Sequence, residues 1–575
     1  MRKLVYSSLV MLVIMTGCTK SFLDINTDPN HPTKTSLNRL LPAAEQGMAY
    51  ALGFTNDNRG ARGLTEVLSV YMHQVTVRED QDQYGVTGSN TNINGAWNGI
   101  YSSAVGGAVT DYLGCLQNID VIITQGTEEG NKIYTGIAKV MKAYAISQLV
   151  DAFGSVPFSE ANKLASEDIR YPKYDKDSEI YPQLFTLLDE AIADLTDASA
   201  PNTAVPEDDD IIYKGSTENW VKAANSIKLK LYNQVRLVQN VSAEVNALIA
   251  GGNLISATNE GFMMPYGKGS TPDDRNPGFS EYYAGQKTHY QSPWFYEILK
   301  GYNPKIFTGN PDPRVPYYFY RQLKPTESAE NKTEYRDGGF VSIVFGSVGP
   351  NRDWSQDKSM TVFGIYPVGG RYDDGGAEKV DASSGTGAAP YKMLTYADVL
   401  YIEAELMQAG VISGDAKAKL SDAMDESFKQ VDYVVGLVGP SQSVPPLSSD
   451  PAATTYRDKV LTEYDAKPAA GKLEIIMTEK WINSFGSSVD QYTDYRRTGY
   501  PVLFNPKDAT QAPGGKFQPP VNGDPANPGA QAAVQVQLSR SYPLSLPYAN
   551  DDLNVNPNAP AQKQPASSPV FWDKN

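Results

Sequence analysis

Two cysteines in 575 residues leave no room for a disulfide framework, and three histidines leave few ligands for zinc. His31, His73 and His289 stand far apart, with no HExxH and no CxxC anywhere in the chain. There is no run of roughly 20 apolar residues, the length a helix needs to cross a bilayer. Positive charge is also scarce: 50 Lys and Arg against 66 Asp and Glu give a formal charge of -16. No basic cluster offsets it locally, so the surface repels phosphate backbones and nucleic acid is excluded as a partner. Nucleotide chemistry lacks its motif too. "GFMMPYGKGS" (261–270) puts five residues between its glycines and follows Lys268 with Gly269, so it reads as a turn. "DQDQYG" (80–85) has Tyr84 at a calcium-ligand position and Thr91 where an EF-hand carries a bidentate Glu. No G-x-S-x-G elbow occurs. Paired carboxylates for glycoside hydrolysis are defined by a separation in space, so a surface glycosidase stays open at this level.

What is present begins with "VIMTGCT" (13–19). Arg2 and Lys3 precede a short apolar core, Leu4 to Met15, and Thr16-Gly17 supply small residues before Cys18. That is the layout of a secretory signal, with a core of about 12 residues, too short to span a bilayer. Met15-Thr16-Gly17-Cys18 resembles the lipobox of bacterial lipoproteins, which makes Cys18 the lipidated first residue of the mature chain. The alternative is an ordinary signal peptide with a coincidental cysteine. Loss of residues 1–17 moves the formal charge from -16 to -18 (two cations removed). Residues 18–36 carry Pro29 and Pro32 and no helical pattern, and read as a tether of about 60 Å at most. Cys115, flanked by Leu113 and Leu116, reads as a buried structural thiol.

Length alone would permit two to four domains, on the order of 150 residues each. With 41% hydrophobic and 20% charged residues the composition is that of a folded globular chain. Helical spacing recurs. Leu184, Leu187, Leu188, Ala191, Ile192 and Leu195 lie on one helix face. Trp220, Ala223, Ala224, Ile227, Leu231 and Val235 form a second stripe, with Lys222, Lys228 and Lys230 mostly outside it; Ile137, Val140, Met141, Tyr144, Ala145 and Leu149 form a third. Tyr396 to Gln408 predicts a helix, Ala409 to Gly414 a turn and Asp415 to Lys429 a second helix, with small residues Ala404 and Ala423 where the two must approach. This pair looks like one tetratricopeptide-type repeat, although no 34-residue period runs through the chain. Long interruptions separate these stretches: an acidic loop at 201–210, Pro/Gly/Ser/Ala-rich segments at 435–455 and 502–533, and a region with little helical pattern at 263–392. Residues 281–320 hold 12 aromatics in 40, eight of them tyrosines among Gly, Pro and Asn, a mixture suited to a wet surface.

"KAYAISQLVDAFGSVPFSEA" (142–161), "WVKAANSIKLKLYNQVRLV" (220–238), "NPDPRVPYYF" (310–319), "TYADVLYIEAEL" (395–406), "KWINSFG" with "DYRRTGYP" (480–501) and "YPLSLPYANDDLNVNPNA" (542–559) follow one another in an order that resembles the SusD/RagB outer-membrane lipoproteins of Bacteroidetes, in their SusD-like branch. The resemblance covers essentially everything after Cys18. It implies a mainly α SusD-like fold, one domain from residue 37 to 575, with degenerate tetratricopeptide-type helix pairs as scaffold and long loops with short strands as ligand face. It implies a surface lipoprotein that captures oligosaccharides as the lid of a SusC-type TonB-dependent transporter, or oligopeptides in the RagB branch, without cofactor or catalysis. Trp481, Asp494, Arg496 and Arg497 then read as a buried tie between helices, and Asp312 with Arg314 as a fixed turn.

A sugar offers an apolar C–H face and a rim of hydroxyls, so its binder needs aromatic platforms flanked by Asp, Asn and Arg. Three neighbourhoods have that chemistry. One is Asn56, Asp57 and Asn58 with Asp80, Asp82, Tyr84 and Trp97, although Trp97 also starts a helical pattern with Tyr101 that would pack it inward. The second is Tyr290 with Trp294 and Tyr296. The third is Trp354 with Arg371, Tyr372 and Asp373 in "GGRYDDGG", where an arginine between glycines is hard to bury.

Overall fold

A computed structural model of the chain describes residues 35–54, 63–78, 80–101, 114–285, 287, 289–505, 508, 521–522, 534–538 and 540–575. Cys18, the leader and most of the tether lie outside the described residues. The helices that build the scaffold are α1 (Leu37–Leu52), α2 (Leu64–Tyr71), α3 (Thr91–Tyr101), α4 (Cys115–Glu129), α5 (Lys132–Phe153), α6 (Asp177–Leu195), α7 (Thr217–Val235), α8 (Pro293–Leu299), α9 (Tyr396–Gln408), α10 (Ala416–Val438), α11 (Pro451–Ala466), α12 (Ala469–Asn483) and α13 (Val489–Thr498). Consecutive helices pack in pairs: α4 on α5, α5 on α6, α6 on α7, then α9 on α10 and α10 on α11. Helix α9 closes the two runs by packing against both α12 and α7. The architecture is mainly α, as the spacing predicts.

Each helix forms where its apolar stripe finds a partner. Leu184, Leu188, Ala191 and Leu195 of α6 are buried, as are Trp220, Ala223, Ala224, Ile227, Leu231 and Val235 of α7. Helix α9 starts on a capping box: the Thr395 hydroxyl accepts from the Asp398 N–H while the Asp398 carboxylate accepts from the Thr395 N–H. Asp415 caps α10 through the N–H groups of Lys417 and Ala418. Ala404 and Ala423 are fully buried where α9 meets α10. Helix α10 runs beyond the predicted Lys429 because Val431, Val434 and Val438 continue its buried stripe, and Gly439, with φ +53°, ends it. The expected loop at 435–455 therefore shrinks to the residues between Val438 and Pro451.

Two expectations about polarity are overturned. Lys230 lies inside, its ammonium 2.9 Å from Asp490 and 5.6 Å from the Tyr144 ring centre. The aromatic segment 281–320 is dry: 11 of its 12 aromatics are buried and only Tyr302 is exposed. Tyrosine serves in such a core when each hydroxyl reaches an acceptor. Tyr283 donates to the Phe363 carbonyl, Tyr317 to that of Pro445 and Tyr318 to that of Ile482. Cys115 is buried at the start of α4, and burial pushes its thiol up, as expected of a structural cysteine. Among the described residues no helix is long and apolar enough to cross a membrane, and no group of three or more His, Cys, Asp or Glu is placed to hold a metal ion.

The strands are short and bind distant segments together. Val75–Val77 (β1) pairs antiparallel with His289–Gln291 (β3), and Phe262–Met264 (β2) with Tyr391–Leu394 (β6). Tyr335–Asp337 (β4) and Phe340–Ser342 (β5) form a hairpin that Val521–Asn522 joins in parallel on β4.

Buried charge ties the helices, as the motifs imply. Glu405 of α9 is fully buried and accepts from Arg497 of α13, from Arg236 at the end of α7 (3.0 Å) and from Asn233 of α7 (2.8 Å). Asp494 joins Arg497 to Lys480 of α12, 2.7 Å away. The two arginines hold the Glu405 carboxyl well below its ordinary range despite its burial. A second knot joins Arg314 to Asp312 (2.6 Å) and to Glu479 (2.8 Å), all three nearly or fully buried. Removing one partner strands the others without solvent. Arg497→Met is therefore expected to cost about 3 to 5 kcal/mol of unfolding free energy by urea titration; a loss below about 1 kcal/mol would contradict this role.

Candidate functional site

The site grows from the two-stranded ribbon. β1 places Thr76 opposite Tyr290 of β3, and the chain then turns through Asp80–Gln83. The turn brings Asp82 under the loop at 346–359. Asp82 is fully buried; it accepts from the Thr76 hydroxyl (2.7 Å), the Gly346 N–H (2.5 Å) and the Arg352 guanidinium (2.6 Å). Burial pushes its carboxyl up to about 6, although Arg352 and the other donors pull the opposite way. Arg352 also donates to the Val344 carbonyl at 3.0 Å, and Arg78, the residue after β1, reaches the Asp353 carbonyl at 3.2 Å. Directly after these two contacts, at Arg352 and Asp353, the loop presents Trp354, 51% exposed. Burial pushes the Tyr290 hydroxyl up to about 12, and the charges of Arg78, Asp357 and Arg352 act on it. Asp82, one predicted residue, is thus linked through Thr76 to the strand that carries Tyr290 and through Arg352 to the loop that carries Trp354.

A second joint connects this loop to the glycine-rich one. The buried Gln322 side chain donates to the carbonyls of Asp357 (3.0 Å) and Met360 (2.9 Å) and accepts from the Val380 N–H (3.0 Å). Next to it, Arg321 grips Asp373 through Nε (2.6 Å) and Nη2 (3.2 Å). Asp373 and Tyr296 line one cavity of about 260 Å³ with Lys300, Arg321 and Phe340. Tyr296 stacks on Phe340 at 3.7 Å and donates to Asp337 at 2.7 Å.

The remaining predicted residues support the face or lie elsewhere. Arg371 is not left free by its glycines: its guanidinium pairs with Glu378 and lies 5.2 Å from the Tyr320 ring centre, and its N–H donates to Tyr283. Tyr372 is half-buried, edge-on to Tyr317, with its backbone held on both sides by Gln442. Tyr84 is buried with its hydroxyl 2.7 Å from His73 Nε2. Trp97 packs inward on α3, stacked on Tyr174 and edge-on to Phe153, which settles the choice its helical pattern posed. Trp294 is buried on α8, stacked on Phe504 and donating to the Val502 carbonyl. Asn56, Asp57 and Asn58 lie outside the described residues, as does the side chain of Asp80. Of the aromatics proposed as platforms, Trp354 alone is largely exposed. Arg78, Arg352, Gln322 and Arg321 were missed. Arg352 had a readable signal, since it precedes Trp354 by two residues.

No curated protein matches the chain. Solved structures match it closely in fold. A SusD/RagB family protein from Bacteroides thetaiotaomicron gives a TM-score of 0.64 at 20% identity, over 94% of this chain and 99% of that one. A SusD homologue from Bacteroides fragilis gives 0.64 at 17% identity, over 94% and 100%. A structure titled chitin-binding protein gives 0.62 at 20% identity, again over 94% and 100%. A family model described as "Starch-binding associating with outer membrane" matches residues 29–517. With helix pairs carrying a loop-built face and a family match over most of its length, the chain belongs to the SusD-like family.

Proposed function

We propose that this protein is a cell-surface lipoprotein that binds oligosaccharides and passes them, as a lid, to a SusC-type TonB-dependent transporter in the outer membrane, with no catalytic step of its own. The observation that carries the reading is Trp354, an exposed indole on a loop fastened by the Asp82–Arg352 pair and by Arg78. An aromatic held rigid in water costs exposed apolar surface unless something stacks on it, and the C–H face of a pyranose does so. The family description and the chitin-binding title of one structural relative support a glycan ligand. The apolar leader ending in Gly17-Cys18 supports the anchor, and α1 begins at Leu37, where the tether is read to end.

Three outcomes test this. In calorimetric titration against neutral oligosaccharides and peptides, an oligosaccharide is expected to bind, and Trp354→Ala to weaken it about tenfold or more. Selective binding of peptides would turn the reading to oligopeptide capture, and release of reducing ends by the purified protein would make it a glycosidase. Cys18→Ala is expected to move the protein from the membrane to the soluble fraction while binding survives; a variant that stays membrane-bound contradicts the anchor. The brace has its own signature. Because the Asp82 carboxyl rises from 3.8 to about 6 on folding, the folded state holds an extra proton between those values, and stability falls as pH rises through them. Asp82→Asn removes that fall, so its destabilisation should be larger at pH 4 than at pH 7, by up to about 3 kcal/mol. An equal loss at both pH values would refute the assignment.

A further inference from the structure

The cavity beside the glycine-rich loop has an uneven supply of hydrogen-bonding groups. Its carboxylates are engaged. Asp312 is taken by Arg314 through contacts of 2.6 to 3.1 Å, and Asp373 by Arg321 and the Gly375 N–H. Its cations are not. The Lys300 ammonium has no carboxylate partner among the described residues and lies over the Tyr302 ring, 5.8 Å from its centre. Arg321 uses Nε and Nη2 on Asp373, which leaves Nη1 without a partner among the described residues. The opposite wall is apolar, with Phe319 and Phe340.

A neutral sugar presents hydroxyls that donate as well as accept, and it is best met by a mixture of carboxylates, amides and arginines. This cavity offers spare donors, both charged, beside an aromatic face. That matches a ring carrying a carboxylate: the acid oxygens take charge-assisted bonds from Lys300 and Arg321 while the C–H face meets the apolar wall. Asp373 fixes the guanidinium plane, so Arg321 is preorganised for such a contact. Its volume of about 260 Å³ is on the scale of a single sugar residue. The cavity adjoins the Trp354 face through Gln322, which follows Arg321 in the chain and holds the Trp354 loop by its side chain.

We infer that the cavity lined by Lys300, Arg321 and Asp373 is a subsite for a carboxylate-bearing sugar residue, so that the glycan captured is an acidic one containing uronic acid. This rests on the glycan-capture reading and sharpens it.

The test is calorimetric titration of the full chain with a galacturonate trisaccharide and a glucuronate-containing trisaccharide, each against its neutral counterpart. At least one acidic trisaccharide should bind about tenfold or more tightly than its counterpart. Lys300→Met, at a half-buried position with no ion pair to break among the described residues, should remove that advantage. Arg321→Lys keeps a cation beside Asp373 and removes the spare guanidinium donor, so it should lower acidic binding by a similar factor. Equal affinity for acidic and neutral sugars overturns the subsite while leaving glycan capture standing, and so does an acidic preference that both variants retain. Failure of every oligosaccharide, neutral or acidic, overturns the capture reading and the subsite with it.

Discussion

Glu405 sits where α7, α9, α12 and α13 converge, and its carboxylate is fully removed from water. An isolated charge there would be prohibitively unstable, so it persists only while Arg497, Arg236 and Asn233 are in register. That requirement works in both directions. The arginines need the carboxylate as much as it needs them, and the helices that carry them cannot slide without breaking several charge-assisted bonds together. Hydrophobic packing of the helix pairs tolerates small shifts of register; a buried fork of guanidinium and carboxylate does not. The Arg314 knot repeats the device where the irregular middle of the chain meets α12, through Glu479. The knots thereby turn a stack of degenerate helix pairs into a fixed base for the loops above it.

The loops need such a base because their own secondary structure is slight. The β1–β3 ribbon has three residues on each side, too few to be stable by itself. Its stability comes from what it is fastened to: Thr76 to Asp82, Asp82 to Arg352 and Gly346, Gln322 to Asp357. Side-chain hydrogen bonds, to other side chains and to backbone, hold here what a sheet holds in other folds. One consequence is that an aromatic can be held in water without collapsing onto the core, which is the condition for a stacking platform.

Helices were readable in the sequence because a 3.6-residue stripe repeats often enough to be counted, as on α6 and α7. The close approach of α9 and α10 was readable from Ala404 and Ala423. The ligand face was much less so. Tyr, Trp, Asp and Arg are the residues of a sugar site, but they are equally the residues of a core in which every polar tip is satisfied. Tyr283, Tyr296, Tyr317 and Tyr318 took that second course, each with a partner far away in the chain. Arg371 shows the same ambiguity: flanking glycines looked like freedom, yet Glu378 and Tyr320, drawn in by the loop's path, occupy it. The distinction between a platform and a core aromatic lies in long-range pairing, which local composition does not encode. Trp354 was distinguishable only in part, by a neighbouring arginine whose partner, Asp82, lies 270 residues away.

The spare hydrogen-bonding capacity of this surface is as informative as its contacts. A chain with 16 more carboxylates than cations would be expected to leave acids, not bases, unpaired. In the cavity beside Asp373 the reverse holds among the described residues: the two lining carboxylates, Asp312 and Asp373, are consumed by an internal arginine or N–H, neighbouring Asp337 accepts from the Tyr296 hydroxyl, and Lys300 with one nitrogen of Arg321 remains. The general excess of negative charge repels an acidic polymer at long range, but that repulsion fades beyond about 8 to 10 Å at physiological salt, whereas a paired carboxylate within hydrogen-bond distance is little screened. On the proposed reading, a glycan met by cations at one point is held by that point and by stacking on Trp354. For a protein tethered beside an importer on the proposed reading, modest contacts of this kind suffice, because tethering raises the effective concentration at which the ligand is offered.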